Sequence, residues 1–239
     1  MPKLRVLNLR MSLGKGVDWR VLHLWPEGYE AQFPWPELED LTVPFPSPED
    51  QIYSHLPISM RRLSLRCSPH YCFHLWEAER LYHLRFPILY ASEMLEIFAK
   101  INAPYLDYLQ LEYRADAAED DLLKCLVQKF PRLTFLVIHR FQSVRASNVT
   151  VDDIALRLSE FRHLITLRAH LDFCANDKVM KTLRETAAIL VDKLALQDMV
   201  NGDGKWRLTQ RGTRRSLHSS FDLRIQRPRT VALHAPLFK

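Results

Sequence analysis

Asp116-Ala-Ala-Glu-Asp-Asp-Leu-Leu-Lys-Cys-Leu-Val-Gln-Lys-Phe-Pro-Arg-Leu-Thr-Phe-Leu-Val-Ile-His139 holds a whole structural unit in one stretch. Asp116 and Glu119 have the spacing of a capping box, in which the aspartate accepts a first-turn N–H and the glutamate reaches back, so a helix is predicted to start there. Leu122, Leu123, Leu126, Val127 and Phe130 recur at the helical period, which leaves Asp120, Asp121, Lys124 and Lys129 toward water. Pro131 ends the helix, because the residue before a proline is pushed out of the α region. In Leu133-Thr-Phe-Leu136-Val-Ile138, Leu136 and Ile138 alternate with Phe135, Val137 and His139 as a strand requires.

The Leu-x-x-Leu-x-Leu core of that strand recurs seven times. It stands at Leu4–Leu9, Leu38–Val43, Met60–Leu65, Leu81–Phe86, Leu106–Leu111, Leu133–Ile138 and Leu164–Ala169. Intervals of a few tens of residues fit one strand plus one helix or loop per repeat, stacked side by side. Between the strands, Ser92 is expected to cap a helix carrying Met94, Leu95, Ile97, Phe98 and Ile101. Thr150 with Asp153 is expected to cap another carrying Ile154, Leu158 and Phe161. Phe33-Pro34-Trp35-Pro36 and Pro44-Phe45-Pro46-Ser47-Pro48 read as turns, since proline fixes φ and removes a donor. A longer helix is predicted from Asn176 to about Leu194. The pair Leu196–Val200 and Lys205–Thr209 is predicted to form a hairpin around Asn201-Gly-Asp-Gly204.

Seven such cores, with Pro-x-Leu leading into the strand as at Phe130-Pro131-Arg132-Leu133, resemble a leucine-rich-repeat protein over roughly residues 1–200. The irregular spacing and Trp-rich inserts make the chain similar to the repeat regions of fungal F-box proteins. That resemblance implies an α/β solenoid, a horseshoe arc with a short parallel sheet on its concave side. Loops or 3₁₀ turns are expected outside the first half and helices outside the second, with about seven irregular repeats. The hairpin over 196–210 would serve as a C-terminal cap, and 211–239 would be a basic, mobile tail carrying at most one added edge strand. The resemblance also implies a non-enzymatic protein-protein recognition scaffold, the substrate-binding part of an F-box-type ubiquitin-ligase receptor. No F-box pattern stands in the sequence, so a Skp1-type subunit is implied only if one lies upstream. The first strand begins at Leu4 with no repeat before it, so the sequence is expected to be the C-terminal portion of a longer ancestor or an incomplete gene model. The Asn or Cys usual three positions after the last core Leu is replaced by Ser12, Pro46, Ser68, Leu89, Arg114, Phe141 and Asp172, and irregular curvature is expected.

Composition narrows the classes. Of 239 residues 47% are apolar, enough for a substantial core. The net charge of +5 is unevenly placed: Lys205 to Lys239 holds nine Lys/Arg against the single Asp222, so the remainder is acidic on balance. Four cysteines and no apolar leader after Met1 point to a reducing cytoplasmic or nuclear setting. No apolar run approaches a membrane span. Asn148-Val-Thr150 matches a glycan sequon, but Thr150 is read as a helix cap. Cys67, His70, Cys72 and His74 are too tightly spaced for a zinc frame, and Cys67 and Cys72 are read as buried thiols in a turn. Six glycines in total leave little for a phosphate loop, and no cofactor or catalytic residue is expected.

Residues alternating with the core leucines face away from them. The expected protein-binding face therefore carries Arg62, Arg66, Arg85, Tyr108, Phe135, His139, Arg168 and His170, with Val137 exposed beside Phe135. Arginine and aromatic side chains are the types that dominate interface energies. The alternative is nucleic-acid binding through the tail, with Arg207, Arg211, Arg214 and Arg215 tracking phosphates.

Overall fold

A computed structural model describes residues 3–10, 22–30, 32–66, 88–141 and 149–171, the helical positions Ala188, Ile189 and Asp192, and strands at 207–210 and 223–226. Its centre is an eight-stranded sheet. The first six strands run parallel in sequence order: β1 Val6–Asn8, β2 Asp40–Val43, β3 Arg62–Leu65, β4 Tyr108–Arg114, β5 Phe135–Phe141 and β6 Thr166–Leu171. β8 (Leu223–Gln226) lies antiparallel beside β6, and β7 (Arg207–Gln210) lies antiparallel beyond β8. Four helices with described bounds complete the fold: α1 Ile52–His55, α2 Ala91–Lys100, α3 Glu119–Lys129 and α4 Val151–Ser159.

The leucine spacing sets the register. Leu7, Leu41, Leu63, Leu109, Leu136 and Leu167 are successive Cα partners across the sheet, and Val43, Leu65, Leu111, Ile138 and Ala169 form a second row. All of these except Leu7 are buried, in one cluster with Met94, Ile97 and Phe98 of α2, Leu122 and Leu126 of α3, and Ile154 and Leu158 of α4. The helices thus form a second layer on the leucine face, each packed on the next. Phe98 and Phe130 meet edge to face at 5.7 Å between α2 and the end of α3.

The residues before each strand explain its start. Leu38, Met60, Leu106, Leu133 and Leu164 each donate their N–H to the carbonyl three residues back, on Trp35, Pro57, Ala103, Phe130 and Phe161. Pro36, Pro104 and Pro131 occupy the second position of three of these turns, where the fixed φ of proline fits. The next residue along then repeats one unit five times. The carbonyl of Arg5 accepts N–H bonds from both Glu39 and Asp40, and those of Glu39, Arg61, Asp107 and Thr134 accept the equivalent pair from the following strand, at 2.8–3.1 Å. The chain before β2 folds around Trp25, whose ring packs against Tyr29, Phe33 and His55. Gly28, at φ 77°, takes the third place of the turn closed by Tyr29 N–H to Pro26 carbonyl, a position that needs positive φ. Buried Asp50 ties this segment down by accepting the N–H groups of Leu24, Trp25 and Ile52.

Several expectations change. β3 pairs directly with β4, Leu63 against Leu109, so no strand intervenes where the fourth core was expected; Leu81–Phe86 itself lies outside the described residues. Asp116 and Glu119 do not form a capping box. Asp116 accepts from Ala118 N–H and from Ser92 N–H and Oγ, while Glu119 is turned inward against Arg140. Ser92 is consequently not a cap: α2 starts after Tyr90, whose N–H donates to Glu93 at 2.7 Å. The box at Thr150 and Asp153 is present, with Thr150 N–H to Asp153 at 2.8 Å and Asp153 N–H to Thr150 Oγ1 at 3.2 Å. One short helix, α1, stands in the first half, where only loops or 3₁₀ turns were expected. The partner described for 207–210 is β8, drawn from the expected tail and placed between β6 and β7; the expected partner Leu196–Val200 lies outside the described residues, as does most of the helix predicted from Asn176.

Adjacent helices are also stitched by charge. Lys129 Nζ of α3 donates to the carbonyls of Ala99 and Ile101 at the end of α2, where the helix dipole favours a cation. Between α3 and α4, Asp120 accepts from Arg157 Nε at 2.8 Å and pairs with Lys124 Nζ at 2.6 Å. The hydrogen bond from Arg157, then that from Lys124, lowers the Asp120 carboxyl from 3.8 to about 2. A depressed carboxyl stabilises the fold at pH above its unfolded value and loses that contribution as pH falls toward its folded one. Asp120→Asn is therefore expected to cost about 0.5–1 kcal/mol at neutral pH and to flatten the stability profile between pH 4 and 2, read by chemical denaturation across that range.

Candidate functional site

The face opposite the helices presents the alternate residues in rows. Row one runs Val6, Asp40, Arg62, Tyr108, Phe135, Thr166; row two runs Asn8, Thr42, Ser64, Gln110, Val137, Arg168; row three runs Glu112, His139, His170. In row one the side chains stack. The Arg62 guanidinium lies 4.1 Å over the Tyr108 ring, held from the other side by Asp40 at 3.0 Å. Tyr108 and Phe135 are 5.1 Å apart at an interplanar angle of 32°. Arg168 comes across from row two to lie 5.1 Å over Phe135. The sequence Arg, Tyr, Phe, Arg is thus a continuous pile of cation and ring faces, each ring attracting a guanidinium through its quadrupole.

Not every residue on this face is displayed. Val137 is only 5% exposed, Thr166 and His170 are buried, and Phe135 is half-covered by Tyr108 and Arg168, so the expected exposed pair Phe135 and Val137 is corrected. Strands stand about 4.8 Å apart, so a short side chain between two long ones in the same row is closed over. Val137 sits between Gln110 and Arg168 in that way. Gln110 is itself fixed: its Oε1 accepts from Ser64 Oγ and Tyr108 Oη, each at 3.2 Å, which orients the Tyr108 ring. In row three His139 Nδ1 is 3.3 Å from the buried Glu112 carboxylate, and the His139 and His170 rings are 5.7 Å apart.

Of the other expected site residues, Arg66 is exposed just beyond β3. Arg85 lies outside the described residues, as do Arg211, Arg214 and Arg215; Arg207 is the first residue of β7. A second cation and ring group went unread in the sequence: Arg61 and Arg132 lie 5.7 and 4.9 Å over Tyr105, which is 39% exposed. These three residues precede β3, β4 and β5 at the N-terminal rim of the same sheet, so their recurrence just before or after a first core residue was the available signal.

Among the described residues no group of His, Cys, Asp and Glu has the arrangement to hold a metal ion, and no helix is long and apolar enough to cross a membrane. Cys125 is half-buried, and that burial pushes its thiol up, away from the nucleophilic thiolate form. No protein-family model matches the chain, and no curated protein matches it. What the face offers chemically is flat aromatic area flanked by two guanidiniums, that of Arg62 already paired with Asp40.

Proposed function

We propose that this chain is a non-enzymatic recognition scaffold, a leucine-rich-repeat solenoid whose open sheet face binds an acidic protein segment. In this reading it is the substrate-binding part of an F-box-type ubiquitin-ligase receptor working in the cytoplasm or nucleus. The observation that carries it is the pile of Arg62, Tyr108, Phe135 and Arg168. Side chains already stacked lose little rotamer freedom when a ligand arrives, so more of the contact energy is realised as affinity. Two guanidiniums bracketing two rings suit carboxylates placed beside an apolar or aromatic side chain.

The test is comparative affinity capture with cross-linking, using the wild type and Arg62→Glu/Phe135→Ala. Each position has the character of an interface hot spot, where truncation costs about 2 kcal/mol or more, so the double variant should weaken capture by at least about 100-fold. The captured protein should cross-link to this face through an acidic stretch. Capture left unchanged by the double variant overturns the proposal. Recovery dominated by nucleic acid, insensitive to the substitutions and abolished by high salt, would favour the Arg-rich tail instead.

A further inference from the structure

The two guanidiniums on the sheet face are not equivalent. Arg62 is neutralised in place, its Nε 3.0 Å from the Asp40 carboxylate on the neighbouring strand. Arg168 has no carboxylate or carbonyl partner among the described residues, and its Nε is buried with nothing to accept its hydrogen. Its register neighbours supply no acid: Val137 stands beside it in β5 and Arg224 in β8. Elsewhere in the described part Arg5, Arg140 and Arg157 each hold a carboxylate. Only the Nε of Arg168 is closed off, and the residue is partly exposed, so its two terminal nitrogens open on the face. A buried donor without an acceptor is destabilising, and so are like charges at opposed strand positions. A cation kept there at such a cost calls for an anion that the fold itself does not supply.

We propose that Arg168 is the residue of this face that reads the acid. A carboxylate side chain of the bound segment docks on its terminal nitrogens, while an apolar side chain two residues away lies on the Tyr108 and Phe135 rings. This rests on the recognition reading above and adds a polarity and a spacing to it. Polarity follows from charge: Asp40 already answers the Arg62 end, so an incoming carboxylate gains a partner at the β6 end. One guanidinium fork fits the two oxygens of one carboxylate. Spacing follows from the sheet. Arg168 lies one strand over from Phe135 and two residues along, roughly 8 Å from it by strand and residue intervals. Alternate residues of an extended segment face the same side ~7 Å apart, which is close to that separation.

The probes are two peptides, acetyl-Gly-Phe-Gly-Glu-Gly-amide and the same peptide with Gln in place of Glu. Each is titrated into the isotope-labelled full chain and followed by NMR through the arginine Nε–H signals. The Glu peptide is expected to bind at least about tenfold more tightly than the Gln peptide and to shift the Arg168 signal. Arg168→Met should bring the two peptides to equal affinity, whereas Asp40→Asn/Arg62→Gln, which removes a neutral pair, should preserve the ratio. Arg168→Met should also melt no lower than the wild type, because it deletes a stranded donor and keeps an aliphatic cover over Phe135. A fall of more than about 5 °C would make Arg168 a structural residue and overturn the proposal. A ratio that survives Arg168→Met, or is lost in the Asp40 and Arg62 variant, overturns it too. Equal binding of both peptides by the wild type overturns the role of Arg168 and leaves the recognition face standing. Failure of both to bind up to about 10 mM also overturns the proposal, and the capture experiment then decides the recognition reading separately.

Discussion

Replacing Arg140 by Met is expected to destabilise the fold by about 3–5 kcal/mol, the cost of removing one member of a buried ion pair. Arg140 lies on β5 on the core side, its side chain 2% exposed, and Glu119 at the start of α3 is fully buried. Nε donates to one carboxylate oxygen at 2.6 Å and Nη2 to the other at 3.1 Å. Tyr113 Oη donates to the first oxygen at 3.0 Å; burial, then the Glu119 charge, pushes that phenol well above its usual range, so it remains a donor. Losing the guanidinium strands the Glu119 charge in a medium that solvates it poorly. The double variant Glu119→Leu/Arg140→Met removes both charges and should recover most of the loss, because a packed apolar pair of similar volume is often neutral. Denaturant unfolding of the two singles and the double closes the cycle. A loss under about 1 kcal/mol for Arg140→Met would mean the pair is solvated like a surface bridge and the interior is not as described.

Leu109→Ala is the second large effect, expected at about 2–5 kcal/mol. Leu109 is the partner of both Leu63 and Leu136 and has no exposed surface, so truncation leaves a cavity between the sheet and the helix layer. Leu7→Ala makes the same chemical change at the half-buried edge and should cost about 1 kcal/mol. The ratio of the two, from unfolding midpoints at constant denaturant slope, measures how the ladder deepens from edge to centre. Equal losses would contradict the placement of Leu7 at an open edge.

How far the sequence could be read depends on what each pattern constrains. Leucine spacing specifies which residues face inward, because a one-residue slip in a strand reverses every side chain, and the observed register keeps Leu41, Leu63 and Leu109 aligned. Thr150 and Asp153 read correctly because a cap is a local interaction. Asp116 and Glu119 have nearly the same local pattern but are decided by partners elsewhere: Ser92 from the previous unit and Arg140 from the next strand. A signal for this was present. Arg140 follows Leu136 and Ile138 on the inward parity of its strand, and a charge at such a position requires a buried counter-charge. Parity also found the row Arg62, Tyr108 and Phe135, but exposure depends on the length of neighbours across strands, which is why Val137 and His170 were misjudged. The direct pairing of β3 with β4 could not be inferred, since a matching leucine motif stands between them in the sequence at Leu81–Phe86, outside the described residues.

The paired N–H acceptors at Arg5, Glu39, Arg61, Asp107 and Thr134 join strands separated by very different lengths of chain. Junction geometry and connector length are therefore uncoupled. A lineage could lengthen, shorten or exchange the segment between two strands without retuning the surface those strands display. The molecule is in that respect assembled like masonry, in which the courses stay level whatever is built out behind them.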